Sequence, residues 1–265
     1  MFPVLAAALL LAGCASPSEA PGEAPAASGF PAGAAVDYQL GGAYPPPDGV
    51  GIVARDSTAE PAPGVWSICY VNGFQTQPGE EGRWDDELTL RDADGGPVID
   101  PNWPDERLLD TSDAAKRERI ARVLAVDVQR CADSGFDAVE FDNLDSFSRT
   151  DALTVEGNLA LAQLLVDHVH ELGLLAGQKN SAELAERLRH EVGFDFAVAE
   201  ECLVFRECGA YTDVYGDAVI DIEYTDEPGT TLEGVCADAA RPASTVLRDR
   251  DLVAAGEPGY EFGTC

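Results

Sequence analysis

Two stretches, Gly135-Phe136-Asp137-Ala138-Val139-Glu140-Phe141-Asp142 and Gly193-Phe194-Asp195-Phe196-Ala197-Val198-Ala199-Glu200-Glu201, follow one plan. Each opens on Gly-Phe-Asp, runs through a short apolar segment and ends in acid. The first alternates strictly, which marks a strand with two different faces. Val139 and Phe141 share one face; Ala138, Glu140 and Asp142 share the other. The two stretches start about 58 residues apart, enough for two strand–helix units of roughly 29 residues each, the usual size of a (β/α)₈ repeat.

Working outward, the segment between them supplies the expected pieces. Leu153 to Leu172 carries Leu159, Leu161, Leu164, Leu165 and Val169 at helical spacing, and Gly173 stops it. Leu174 to Gly177 reads as a strand ending at Gln178-Lys179-Asn180, and Ala182 to Val192 as a further helix. Upstream, Thr111-Ser112-Asp113 caps a helix with Ile120, Val123, Leu124 and Val128 on one stripe. Earlier still, Val36–Leu40, Gly51–Ala54 and Trp66–Val71 are short apolar runs of the kind that buried parallel strands show. The first two lie too close for a helix between them, so the barrel is irregular in its first units. Phe74 to Thr111 is a long connection, and long connections in compact domains usually serve function. Val219–Glu223 and Ala243–Leu247 complete eight strands. The expected fold is α/β, a TIM-like (β/α)₈ barrel over residues 36–265. An open doubly wound sheet is the alternative, but no Gly-rich dinucleotide or phosphate loop supports it.

The N-terminus is read as a targeting segment. Residues 1–13 are almost wholly apolar and too short to span a bilayer, and Leu11-Ala12-Gly13-Cys14 resembles a bacterial lipobox, in which Cys14 would be lipidated. Residues 14–35, rich in Ala, Pro, Ser and Gly, read as a disordered tether. The expectation is an exported, membrane-anchored or secreted protein acting as a monomer. Six further cysteines suggest disulfides. Cys202–Cys208 could close one loop and Cys236–Cys265 could pin the C-terminus, leaving Cys69–Cys131. The formal net charge of −31 argues against nucleic acid as a partner.

In such a barrel the chemistry sits at the C-terminal ends of the strands. Asp56, Asn72, Asp142, Lys179, Glu200 or Glu201, and Glu223 would stand there, a crown of acids with one lysine. Paired carboxylates are the minimal equipment for glycoside hydrolysis: one protonates the leaving oxygen, the other attacks carbon or activates water. No cofactor is needed for that chemistry.

Several segments in order resemble glycoside hydrolase family 114. They are Asp37-Tyr38-Gln39-Leu40-Gly41-Gly42, Ile68-Cys69-Tyr70, Trp103-Pro104 with Leu109-Asp110, the stretch from Gly135 to Asn143, Gln178-Lys179-Asn180 and Glu200-Glu201-Cys202. Members are (β/α)₈ endo-α-1,4-polygalactosaminidases. The resemblance implies Asp142 as one catalytic carboxylate and a glutamate of the Glu200-Glu201 pair as the other. Alternation places Glu201 with the small Ala197 and Ala199, and so inward by the pattern of Ala138 and Asp142; the family pattern favours Glu200. Supporting contacts to substrate are expected from Asp56, Tyr70, Trp103, Asn143, Asp145, Lys179, Asn180 and Glu223. The substrate would be a galactosamine polymer, a polycation when its amines are free, and an acidic cleft would attract it. Two other readings compete: a surface lipoprotein that binds sugar without turnover, and a divalent-metal enzyme using Glu140, Asp142 and Asp145.

Overall fold

The computed structural model describes Met1 and residues 29–265; the signal segment, Cys14 and most of the tether lie outside the described residues. Eight parallel strands follow one another in order: β1 (Ala35–Gln39), β2 (Val50–Asp56), β3 (Trp66–Asn72), β4 (Ala138–Asp142), β5 (Leu175–Lys179), β6 (Phe196–Glu200), β7 (Val219–Tyr224) and β8 (Ser244–Arg248). A ninth, β9 (Phe262–Thr264), was not expected from the sequence and pairs antiparallel with β8. Three residues are too short to show a period, and what holds β9 is the Cys236–Cys265 disulfide beside it. The other two disulfides are Cys69–Cys131 and Cys202–Cys208.

The Gly-Phe-Asp repeat is architectural. Asp137 Oδ2 accepts the Ser67 N–H of β3 (2.8 Å), and Asp195 Oδ2 accepts the Ala176 N–H of β5 (2.9 Å). Each aspartate thus ties the start of its own strand to the start of the preceding one. Gly135 and Gly193 sit at φ +89° and +98°, left-handed positions that end a helix and favour glycine.

Helices pack outside the barrel. α1 (Ala114–Ser134) starts at Asp113, whose side chain accepts the Ala115 and Lys116 N–H groups, and α2 (Val155–Glu171) starts at Thr154. The helix expected over Ala182–Val192 is broken into a 3₁₀ turn (Ala182–Leu184), one α turn, α3 (Ala185–Arg187), and a π turn (Leu188–Val192). Three short helices follow: α4 (Cys202–Phe205), α5 (Cys208–Tyr215) and α6 (Leu232–Ala237). No helix among the described residues is long and apolar enough to cross a membrane.

Two apolar layers result. The outer one joins Val139, Phe141, Ala197 and Ala199 to Leu124, Val128, Leu161 and Leu165 of the helices. The inner one fills the barrel with Val36, Tyr38, Ile52, Ile68, Ala138, Phe196, Val198 and Ile220. Small residues therefore face inward on β4 but outward on β6. Volume is balanced between strands, not within one: the Phe196 ring lies against Gly177 of β5, where a Cβ would collide with it. Phe30, assigned to the tether from composition, packs 5.2 Å from Phe196 and 5.4 Å from Trp66 and closes the barrel floor.

The ladder is not continued from β8 to β1. Arg248 spans that seam from a fully buried position. Its guanidinium reaches Asp37 Oδ1 (3.2 Å) and the Tyr38 carbonyl on β1, and donates to the Glu261 and Val253 carbonyls at 3.0 Å each.

Residues 74–111, read as a loop, are more ordered than that. Antiparallel bridges Gln75–Leu108, Thr89–Leu109, Arg91–Pro97 and Ile99–Arg107 fold the segment on itself. Leu90 and Leu108 pack with Leu153, Val98 and Phe147 into a small core of their own. This subdomain holds Trp103 and Glu106 over the mouth of the barrel.

Candidate active site

At the C-terminal end of the strands a cleft of about 350 Å³ is lined by Asp142, Asn143, Asp145, Lys179, Asn180, Glu200, Glu201, Tyr70 and Trp103. All nine were expected there. Tyr38, Leu40, Glu106, Arg149, Tyr224, Arg250 and Leu252 complete the lining and were not. Asp56 is elsewhere: its carboxylate accepts from the Thr58 N–H and hydroxyl in its own turn and from Gln77. Glu223 points away from the cleft. On β7 it is Ile220, Ile222 and Tyr224 that face inward, so Glu223 lies behind the sheet and caps the Leu203 N–H of α4 at 2.9 Å. The neighbouring Tyr224 takes the place in the cleft.

Strands β4, β5 and β6 end alike. Asp142, Lys179 and Glu200 are each followed by a residue in the left-handed region: Asn143 (φ 63°), Asn180 (φ 50°) and Glu201 (φ 58°). Asparagine tolerates that conformation; for glutamate it is strained, by about 1 kcal/mol or more. The step swings the chain out of the barrel immediately after the functional side chain. It also defeats simple alternation at Glu201. That carboxylate turns aside to Arg250 (2.7 and 3.2 Å), while Glu200 faces the barrel axis. Arg250 in turn holds Asp226 and stacks over the Tyr224 ring at 4.3 Å.

Lys179 is the hub. It is 3% exposed, and its Nζ lies 3.4 Å from Glu140, 3.4 Å from Glu200 and 3.9 Å from Asp142. It also donates to the Tyr38 hydroxyl at 3.0 Å, whose own proton goes to Glu140 Oε1 at 2.6 Å. The Asp142 and Glu200 oxygens that meet Lys179 can be no farther apart than those two contacts laid end to end, about 7 Å. Each is oriented from a flanking strand. Tyr70 of β3 donates to Asp142 Oδ2 (2.6 Å), and the Asn143 N–H to Oδ1 (2.7 Å). Tyr224 of β7 donates to Glu200 Oε1, and Asn180, the residue after β5, donates to Oε2 (2.8 Å) while accepting the Glu200 N–H (2.9 Å).

The electrostatics follow from this wiring. Burial alone would raise the Glu200 pKa, but Lys179, Tyr224 and Asn180 outweigh it and hold the carboxyl below its usual range. Burial pushes Glu140 up to about 7, with Asp142 and Glu200 adding to the rise against Lys179 and Tyr38. Burial would lower Lys179, yet Asp142, Glu200, Tyr38 and Glu140 raise it well above its ordinary value. A charged lysine therefore stands among Glu140, Asp142 and Glu200, where the divalent-metal reading would put an ion, and Asp145 is paired with Arg149 at 2.7 Å.

The sequence profile of glycoside-hydrolase family GH114 matches residues 17–264. The chain belongs to that family. It is accordingly a glycoside hydrolase. Among solved structures, Ega3 of Aspergillus fumigatus, crystallised in complex with galactosamine, superposes with a TM-score of 0.73 at 21% identity, over 92% of this chain and 100% of Ega3. The glycoside hydrolase domain of PelA from Pseudomonas aeruginosa gives a TM-score of 0.58 at 17% identity, over 84% of this chain and 97% of that domain. At such identities these likenesses show the shared barrel. No curated protein matches the chain.

Proposed function

We propose that this glycoside hydrolase cleaves an α-1,4-linked galactosamine polymer with Asp142 and Glu200 as its two reacting carboxylates. The observation that carries the pair is their joint contact with Lys179 at the barrel mouth. One carboxylate attacks the anomeric carbon; the other protonates the leaving oxygen and then deprotonates the incoming water. The upper bound of about 7 Å on their separation admits this double displacement, which proceeds at about 5–5.5 Å and retains configuration, and leaves out most of the about 6.5–9.5 Å range of inverting enzymes. Glu201, bound to Arg250, supports the strained turn and takes no part in bond breaking. Tyr70 and Asn180 orient the pair; Trp103, 61% exposed on the cleft rim, offers a face for a sugar ring. The substrate class rests on the family and on the galactosamine held by the related Ega3.

The test is product analysis on α-1,4-galactosaminans for wild type, Asp142→Asn, Glu200→Gln and Glu201→Gln. The first two lose about 10²-fold or more in kcat, and Glu201→Gln loses far less. Azide separates the roles. With azide and an activated substrate, the nucleophile variant yields a glycosyl azide of inverted configuration and the acid/base variant one of retained configuration. Glu201→Gln as the inactive variant, with Glu200→Gln active, would overturn the assignment.

We further propose export as a lipoprotein anchored through Cys14. The lipobox and three disulfides support this. Palmitate labelling that persists in Cys14→Ala would refute it.

A further inference from the structure

Charge in the cleft is balanced carboxylate by carboxylate. Asp142 and Glu200 share Lys179, Glu201 has Arg250, and Asp145 has Arg149. Glu106 breaks the pattern. It lines the same cleft at 8% exposure, and among the described residues it forms no ion pair. Its Oε2 accepts from the neutral Asn72 amide at 2.9 Å, and its Oε1 makes no hydrogen bond to a described residue. Asn72 cannot turn away, because its own oxygen is taken by Asn143 Nδ2 (3.0 Å) and the Gln75 N–H (3.1 Å). The carboxyl is thus fixed on the Asp142 side of the cleft, with one oxygen open. Burial drives it up to about 7, against the Asn72 bond and the more distant Arg149. A carboxylate held in place without a cation is a site that a cationic ligand completes.

Its surroundings say what kind of cation. The turn Trp103-Pro104-Asp105-Glu106 is closed by the Glu106 N–H to the Trp103 carbonyl at 2.9 Å. One end of a single turn therefore carries an exposed aromatic face and the other a carboxylate. Stacking suits the C–H face of a pyranose, and the carboxylate suits a charged substituent on that ring.

We propose that Glu106 receives the ammonium group of a 2-amino sugar seated against Trp103, and so makes the enzyme prefer a free-amine unit over an N-acetylated one at that position. This rests on the galactosaminan reading above. An acetamide brings no positive charge and leaves Glu106 buried without its counter-ion.

The test compares kcat/KM of wild type and Glu106→Gln on an α-1,4-galactosamine oligomer and on its fully N-acetylated counterpart. Glutamine keeps the acceptor for Asn72 and removes only the charge. The ratio of kcat/KM values, free amine over acetylated, is expected to fall about tenfold to a hundredfold, the range for losing a hydrogen bond between charged groups. In the wild type, KM for the free-amine oligomer should rise as pH drops through about 7, because Glu106 takes up a proton there; KM for the acetylated oligomer should not. This arm stands even if the variant does not fold. An unchanged ratio in Glu106→Gln, or equal losses in kcat on both oligomers as a proton donor would produce, overturns the proposal. If the wild type cleaves neither oligomer, the galactosaminan reading is what fails. Calorimetric binding of free galactosamine then decides Glu106 by itself: affinity equal in wild type and Glu106→Gln refutes it.

Discussion

Replacing Lys179 by methionine removes the cation that Glu140, Asp142 and Glu200 share and leaves the barrel otherwise filled. At 3.4 Å and an effective dielectric of about 20, each of its contacts with Glu140 and Glu200 is worth about 5 kcal/mol of Coulomb attraction. The Glu200 side chain keeps 29% of its surface exposed, so water screens that contact to roughly half. Loss of about 2–3 kcal/mol of support for ionised Glu200 predicts a fall in kcat/KM of roughly 30- to 160-fold at neutral pH. The acidic limb of the pH–rate profile should move to higher pH, because Glu200 then ionises later. Stability follows a separate route. Breaking a buried charge set costs about 3–5 kcal/mol. The sign with pH is determined: without Lys179 the carboxyls titrate higher in the folded than in the unfolded chain, the folded state binds more protons, and stability falls as pH rises. Lys179→Met should therefore be only mildly destabilised near pH 5 and severely so near pH 8, in urea titrations at each pH. Adding Glu140→Gln should restore much of the stability and none of the activity, since Glu140 is fully buried and does not line the cleft. A stability loss equal at both pH values, with an unmoved acidic limb, would refute the picture of Lys179 as an electrostatic hub.

Two further outcomes concern the scaffold. Arg248→Met leaves Asp37 buried at the β8–β1 seam with Gln39 and Tyr44 as its remaining side-chain hydrogen-bond donors among the described residues and the more distant Arg55 as a cation, and should cost about 3–5 kcal/mol, read as a Tm lower by roughly 10 °C in calorimetry; a change within about 2 °C, the limit for a surface residue, would show that Arg248 does not close the barrel. Removing the Cys69–Cys131 disulfide by a double serine substitution frees a loop of 62 residues and should cost about 4 kcal/mol in denaturant unfolding; no shift in the midpoint would show that α1 and β3 are held by packing alone.

Much of the architecture was legible in the chain. Eight apolar runs, regularly spaced only from β5 onward, marked the strands in order, because a buried parallel strand needs apolar residues on both faces and a turn signal at each end. The paired Gly-Phe-Asp openings marked equivalent positions, and both aspartates do the same work at the strand starts. Asp142, Lys179 and Asn180 were found because they end strands in a fold whose mouth is always at that end. Glu106 was open between loop packing and a ligand wall, and only Trp103 of its turn was expected to contact substrate. It stood in a segment without periodicity, and only the bridges within residues 74–111 carry it over the cleft. Tyr38 was read as part of a strand, yet it acts on Glu140, which is 102 residues away.

The order of the strands and the acid-rich ends of β4 and β6 were therefore determined by the sequence alone, since each depends on local pattern and spacing; which cysteine meets which was decided by the fold. Which face of each strand turns inward was decided only in the folded barrel. That choice depends on volume shared across neighbours: Phe196 faces the axis because Gly177 beside it makes room, and Ala138 faces it because larger side chains fill the space from elsewhere. The same holds at the cleft. Glu200 and Glu201 are adjacent acids with equal claims in the sequence; one left-handed residue, and an arginine from beyond β8, send one carboxylate to Lys179 and the other to Arg250.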